Sequence, residues 1–355
     1  MSNTNLNKAK REKNDEFYTQ LDDIQREIQA YLDYDPGVFR DKTILLPCDD
    51  PTWSNFTKYF AERFETLGLK KLISTSYAAD GGNGKVFVLD GENELRWEYL
   101  TGDGDFRSTE VTALRDEADM VITNPPFSLF RDFVAWLKEG DVLFSVIGNK
   151  NAITCKGIFP LIKDNTLWVG NRSMSDDFLF GLPKSSQDEM LEGKPGSRYR
   201  VVDGEIMGRV PALWFTNIQH GRHHKPLKLT TQADNEKHNK RIVNNPNSYK
   251  KYDNYDAIEV PATSGIPSDY VGVMGVPISF LDKYCPEQFE IIGCSESEGV
   301  GLSRGLHDGS AVKQAAVENK KLYKRIFIRH INPVVQLAQV HTLKTATPEP
   351  QQMAA

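Results

Sequence analysis

Apolar residues in the first 150 positions alternate between two periodicities. Short aliphatic or β-branched runs occupy 43–46, 71–74, 86–89, 95–100, 119–123 and 142–147. Runs of this length bounded by turn residues predict buried strands. Between them, apolar positions recur at three and four. Ile24, Ile28 and Tyr31 do so within 22–31, as do Phe56, Tyr59, Phe60, Phe64 and Leu67 after Ser54. That spacing predicts helices, the second with Ser54 as N-cap and Gly68 as terminator. A third helix-like run extends from Ser128 to Leu137. Gly81, Gly82, Asn83 and Gly84 mark a turn, so 86–89 and 95–100 read as a hairpin inserted into the sheet. The strand–helix–strand order predicts an α/β fold with a parallel sheet covered on both faces.

Beyond residue 150 the pattern loosens. The clearest further strands are 167–169 and 212–216, and 185–197 reads as a polar surface loop. After His220 the chain turns basic, Asn-rich and irregular, with strand-like runs at 270–276, 289–292 and 325–328. We divide it into a catalytic domain (1–220, with 1–14 mobile), a target-recognition region (221–343) and a disordered tail (344–355).

Composition narrows the class. With 39% hydrophobic and 26% charged residues over 355 positions, the chain can build a real core. No apolar run approaches the roughly 20 residues that span a bilayer, and the amino terminus lacks a signal-peptide core. A cytoplasmic, monomeric protein is expected. Cys48, Cys155, Cys285 and Cys294 are scattered and form no Cys-x-x-Cys pair, so neither a zinc site nor a disulfide framework is expected. Net charge is −6, yet residues 222–251 carry eight Lys or Arg against two acids, a local +6. Within that stretch Arg222, Lys225, Lys228, Lys240, Arg241, Lys250 and Lys251 are candidate phosphate contacts, with a solvated loop as the alternative.

The most informative chemistry lies at 121–127, Val-Ile-Thr-Asn-Pro-Pro-Phe. Two prolines stop the predicted strand and fix the backbone, because neither ring donates to a ladder. Asn124, Pro125, Pro126 and Phe127 then stand at a carboxyl-terminal strand edge, where open α/β sheets place ligands. A rigid turn offering one amide and two carbonyls accepts hydrogen bonds from an exocyclic amine, and an aromatic ring stacks on the base that carries it. This suits methylation of an amino group on a flipped nucleobase. The same tetrapeptide also occurs in ordinary loops.

A methyl donor must bind beside Asn124. S-adenosylmethionine is cationic and has no pyrophosphate, so a glycine-rich anion cradle is not required. Between Val38 and Leu67 there is no glycine, and the loop after the first strand reads Cys48-Asp49-Asp50-Pro51. Its carboxylates could hold the cationic part of the donor or cap the next helix. Gly102-Asp103-Gly104-Asp105-Phe106 forms a second acidic cluster, with Asp103 or Asp105 for the donor's adenine or ribose and Phe106 for its ring. Phe17, Tyr18 and Thr19 could close over the methionine end, or simply anchor the terminus.

Together these pieces resemble the EcoRI-type adenine-specific DNA methyltransferases. Asp15-Glu16-Phe17-Tyr18-Thr19, Cys48-Asp49-Asp50-Pro51, Gly102-Asp103-Gly104-Asp105-Phe106 and Thr123-Asn124-Pro125-Pro126-Phe127-Ser128 carry the resemblance, in that order. It extends to the segment from Gly275 to Tyr284. The resemblance implies a Rossmann-like S-adenosylmethionine-dependent methyltransferase sheet with a C-terminal DNA-recognition region. It also implies methyl transfer to N6 of adenine in double-stranded DNA. The alternatives are cytosine-N4 methylation, protein glutamine methylation, and a silent DNA-binding relative.

Overall fold

A computed structural model describes residues 18–91, 96–176, 178–182, 199–295, 302–303 and 305–333. The predicted mobile terminus, the 185–197 loop and the tail lie outside them, as does Phe17. The chain forms two compact units. The first comprises 1–225, 279–286 and 297–302, and the second 226–278, 287–296 and 303–355.

In the first unit the described chain starts with strand β1 (Tyr18–Thr19) and helix α1 (Leu21–Tyr34). Strand β2 (Thr43–Leu46) follows, buried at every position as its apolar run requires. Ser54 caps α2 (Asn55–Glu62), its hydroxyl accepting from the amides of Phe56 and Thr57 at 3.1 and 3.5 Å. The expected single helix breaks at Arg63 and resumes as α3 (Phe64–Leu67), which Gly68 ends at φ +66°. Then come β3 (Lys71–Thr75), the hairpin β4 (Lys85–Asp90) and β5 (Arg96–Tyr99), α4 (Thr109–Glu117) and β6 (Met120–Thr123). A single 3-10 turn, Phe127–Leu129, leads into α5 (Phe130–Glu139) and β7 (Leu143–Asn149). After α6 (Phe159–Lys163) come β8 (Trp168–Val169), β9 (Phe178–Gly181), β10 (Tyr199–Val202), β11 (Glu205–Val210) and β12 (Ala212–Thr216).

Eight of these strands form one sheet in the order β5-β4-β3-β2-β6-β7-β12-β8. Only β3, β2, β6 and β7 run parallel. The flanking pairs are antiparallel, so the sheet is mixed rather than parallel throughout. For β4 and β5 the physical reason is connection length: nine residues after β3 and five after β4 allow only a reversal, whereas a parallel neighbour needs a crossover of a dozen or more residues. β12 instead enters from β11, outside this sheet, and lies antiparallel between β7 and β8. A smaller antiparallel sheet runs β1-β9-β11-β10.

Ile24, Ile28 and Tyr31 of α1 are fully buried in the same core cluster as Phe56, Phe60, Ile44 and Trp214. Burying them also buries Glu27, which accepts from the Tyr31 hydroxyl at 2.8 Å and the Asn171 amide at 3.0 Å. Burial pushes the Glu27 carboxyl up to about 7, with those hydrogen bonds opposing the rise only in part. The segment 279–286 returns to this unit. There Asp282 accepts from Ser173 Oγ at 3.0 Å and the Met174 amide at 2.8 Å, and pairs with Arg222 at 3.2 Å.

The second unit is built on α7 (Gln232–His238), α8 (Lys240–Val243), β13 (Ile258–Glu259), β14 (Met274–Pro277), β15 (Phe289–Cys294), the hairpin β16 (Ala316–Val317) and β17 (Lys320–Lys321), and β18 (Arg325–His330). Its main sheet is ordered β13-β14-β18-β15. The expected strand at 270–276 begins only at Met274, and two helices occupy part of the stretch read as irregular. Tyr252, Tyr255, Ile292 and Phe327 form its core. Among the described residues no helix is long and apolar enough to cross a membrane.

Candidate active site

The parallel strands β2, β3 and β6 end at one rim, and a cavity of about 700 Å³ opens there. Asn124 and Pro126 line it from the end of β6, with Leu129 beyond them. The loop after β2 contributes Pro47, Cys48, Asp49, Asp50 and Trp53. Ser76 and Tyr77 come from the end of β3, Gly104 to Arg107 from the second acidic loop, and Tyr18 and Thr19 from β1. Segments more than 100 residues apart in sequence thus share one wall, at the sheet edge where α/β proteins bind ligands.

The acids differ in their surroundings. Asp49 is 6% exposed and accepts from Ser54 Oγ at 2.7 Å and Thr123 Oγ1 at 2.6 Å. Burial raises its carboxyl to about 6, against the lowering effect of those two hydroxyls. Burial likewise pushes the Cys48 thiol well above its usual range, helped by the Asp49 charge. Asp50 is half-buried and would be raised by that burial. Hydrogen bonds from Thr52 and from Lys85, at 2.9 Å, instead hold it below the usual carboxylate range. Asp105 grips Arg107 with both oxygens, at 2.9 and 2.6 Å. Asp103 caps its own turn through the Asp105 amide at 3.0 Å and is not among the cavity-lining residues.

Gly104 sets how closely the second acidic loop approaches β3. Its φ is +83°, and a Cβ there would meet the Ser76 carbonyl oxygen at 2.1 Å. Phe106 is buried against Phe133 and Trp136, at 4.9 and 5.5 Å between centroids, and still lines the cavity. Tyr18 meets Trp53 edge-on at 4.6 Å. The Thr19 carbonyl accepts from Asn55 Nδ2 at 2.8 Å, while its Oγ1 is buried without a hydrogen bond among the described residues.

Pro125 is buried, and Pro126 caps the following 3-10 turn, its carbonyl accepting from the Leu129 amide at 3.0 Å. Phe127 is half-buried and meets Phe180 of β9 edge-on at 6.3 Å. It does not line the cavity, and neither does Pro125.

Reading the sequence alone passes over Trp53, Ser54, Ser76, Tyr77 and Arg107 as cavity residues. For Trp53 the sequence offered one signal, an indole three residues after the acidic pair; in the structure it is half-exposed and meets Tyr18.

Of the candidate DNA-contacting residues, Arg222 is held in the first unit by Asp282. Lys250 pairs with Glu318 and Lys251 with Asp256 in the second. Lys225, Lys228, Lys240 and Arg241 are exposed. Among the described residues, no group of three or more His, Cys, Asp or Glu is placed to hold a metal ion.

The profile of the family described as adenine-specific methyltransferase EcoRI matches residues 5–331. The Type II methyltransferase M.EcoRI of Escherichia coli is 40% identical over 351 residues, covering 93% of this chain and 97% of the relative. M.MpnI of Mycoplasma pneumoniae is 35% identical, covering 93% and 99%. M.MgeORF184P of Mycoplasma genitalium is 36% identical, covering 91% and 98%. No solved structure matches. The chain therefore belongs to the EcoRI family of adenine-specific methyltransferases.

Proposed function

We propose that this protein methylates N6 of adenine at a specific site in double-stranded DNA, on a base turned out of the helix, with S-adenosylmethionine as donor. The observation that carries the reading is a convergence. Asn124 and Pro126 share one cavity with the acidic loops and with Tyr18 and Thr19. A volume of about 700 Å³ is ample for a drug-sized ligand, since such pockets run about 300–1,000 Å³.

The cavity suits the donor on two counts. The buried Thr19 Oγ1 still has its hydrogen bond to make. The Gly104 turn packs the loop carrying Asp105 and Phe106 directly on the Ser76 backbone at the end of β3, which holds both residues at the cavity wall. Asp50, Asp105, Phe106, Tyr18 and Thr19 are the residues we assign to it, with Cys48 and Pro51 shaping the loop. When bound, that group supplies an electrophilic methyl on a positively charged sulfur.

The chain's own work is to prepare the amine. The lone pair of adenine N6 is delocalised into the ring and makes a poor nucleophile. The Asn124 side-chain oxygen and the Pro125 carbonyl each accept a hydrogen bond from one N6–H, which favours a tetrahedral nitrogen and localises the pair; one proton then leaves to solvent after the methyl has moved to nitrogen and the neutral thioether has departed. Alignment supplies several kcal/mol more, of the order of the proximity effect. Phe127 is assigned to the extruded base, offsetting part of an unstacking cost of a few kcal/mol. Its half-burial against Phe180 makes this a role for one face or edge of the ring.

We assign recognition of the DNA site to the second unit, with Lys228, Lys240 and Arg241 on phosphates. A cytoplasmic location goes with a DNA substrate of this kind. Donor consumption with duplex DNA, followed by nucleoside mass spectrometry, tests the reading. N6-methyladenine is expected. N4-methylcytosine, a methylated protein amide or no product would each replace it with one of the alternatives.

A further inference from the structure

β2 and β6 are neighbours, yet their ladder ends early. The paired positions are Ile44 with Met120 and Leu45 with Val121. Thr123 pairs with Val146 on the β7 side, and no backbone pairing to β2 reaches its level. What joins the two strands at that level is a side chain, with Thr123 Oγ1 donating to Asp49 at 2.6 Å. Thr123 is fully buried, and the next residue is Asn124.

Asp49 is itself held from three further directions. Its amide donates to the Thr75 carbonyl at 3.0 Å, and its carbonyl accepts from Ser74 Oγ at 2.7 Å. Its second carboxylate oxygen accepts from Ser54 Oγ, the cap of α2, at 2.7 Å. One residue therefore links the end of β3, the start of α2 and the last residue of β6. Both side chains that donate to its carboxylate do so through hydroxyls, and neither is a cation. A carboxylate buried this way costs desolvation without an ion pair to offset it, and burial shifts its titration up to about 6. Such a group is retained for what it holds in place.

We infer that Asp49 is a positioning residue for methyl transfer. Acting through Thr123, its carboxylate fixes where Asn124 stands relative to the donor loop. This rests on the function proposed above and makes Asp49, a candidate donor contact in the sequence, a strut instead. The chemistry has a sharp need for it, because misplacing a reacting group by about 1 Å can cost on the order of 100-fold in rate.

The test separates rate from affinity. Thr123→Val keeps the shape and removes the hydroxyl, whereas Thr123→Ser keeps the hydroxyl. With full-length protein and duplex DNA, Thr123→Val should lower the single-turnover methylation rate at saturating donor by about tenfold or more, as expected of a sub-ångström misplacement. Its donor dissociation constant should stay within about threefold, and Thr123→Ser should restore the rate. Asp49→Asn keeps one acceptor oxygen, so it should show a smaller rate loss and again near-normal donor affinity. In the Thr123→Val background Asp49→Asn should add little, since both changes cut the same link. Two results would overturn the inference. One is a wild-type rate in Thr123→Val. The other is Asp49→Asn losing donor affinity at an unchanged saturated rate, which would make Asp49 a donor contact. Neither outcome touches the proposed function, which fails only if the wild-type protein leaves adenine unmodified.

Discussion

At the scale of single residues, Asn124 is the sharpest point of the proposal. Its side-chain oxygen is asked to accept a hydrogen bond from the amine and to bind that nitrogen better as it becomes tetrahedral. Asn124→Ala should therefore spare donor and DNA binding while lowering turnover by about 100-fold or more, as expected for a hydrogen bond that strengthens in the transition state. Rapid-quench measurement of one turnover is the check, and a near-normal rate would remove Asn124 from the chemistry. The residue was legible because two prolines after a buried strand are unusual and physically restrictive. The partners of the acids were not. Asp49 finds Thr123 74 positions away and Asp50 finds Lys85 35 positions away, separations at which local pattern carries no signal.

At the scale of elements, the loop carrying Asp105 depends on one backbone conformation. Gly104→Ala would place a Cβ 2.1 Å from a carbonyl oxygen at a φ of +83°. A left-handed residue alone costs about 1–2 kcal/mol, and the backbone collision adds to it. A lower melting temperature and weakened donor binding by calorimetry are expected together. Loss of neither would mean the loop can withdraw from β3 without consequence. Periodicity located most elements of the first unit, and β2 and β12 match the expected runs throughout. Turn residues marked the antiparallel hairpin of β4 and β5, but nothing marked β12 as antiparallel to β7, because a strand buried at every position looks alike in either direction. Nor did periodicity mark the break at Arg63, where apolar spacing continues through a non-helical residue. The two helices of the second unit left only their caps as signals. Thr231 lies three residues before Asp234, and Asn239 stands before Lys240, in a stretch with too few apolar positions to show a face.

At the scale of the whole molecule, two bulk measurements report on specific groups. Glu27 ionises at about 7 in the folded chain against 4.5 when exposed. Its contribution to stability is therefore fully present below about 4.5 and is lost as pH rises through 7, by roughly 3 kcal/mol. Glu27→Gln should flatten the fall in melting temperature between pH 4.5 and 7 relative to wild type. Parallel curves would assign that slope elsewhere. His220, pushed down to about 4 by burial, acts with the opposite sign and loses its contribution as pH falls. The second measurement is the salt dependence of DNA binding. Reversing the charge of Lys240 and Arg241 should weaken all duplexes alike and reduce the slope of log K against log salt by about 1 for every phosphate no longer neutralised. An unchanged slope would move the phosphate-binding surface to other basic residues.

The return of 279–286 to the first unit bears on how the protein is made. Asp282 satisfies the 173–174 turn and Arg222, yet it is synthesised after residues 226–278 of the second unit. When residue 225 leaves the ribosome, the first unit still lacks a buried carboxylate that some of its polar groups require. At about 5–20 residues per second, the missing piece follows roughly 3–12 s later. During that interval the nascent first unit is complete in its parallel strands and incomplete at its periphery. In a gene cut after residue 225 the first fragment would stay in that state until the second supplied 279–286 from a separate chain, so two co-expressed fragments divided there should assemble poorly. Fragments divided beyond residue 286 would keep the first unit whole up to that point.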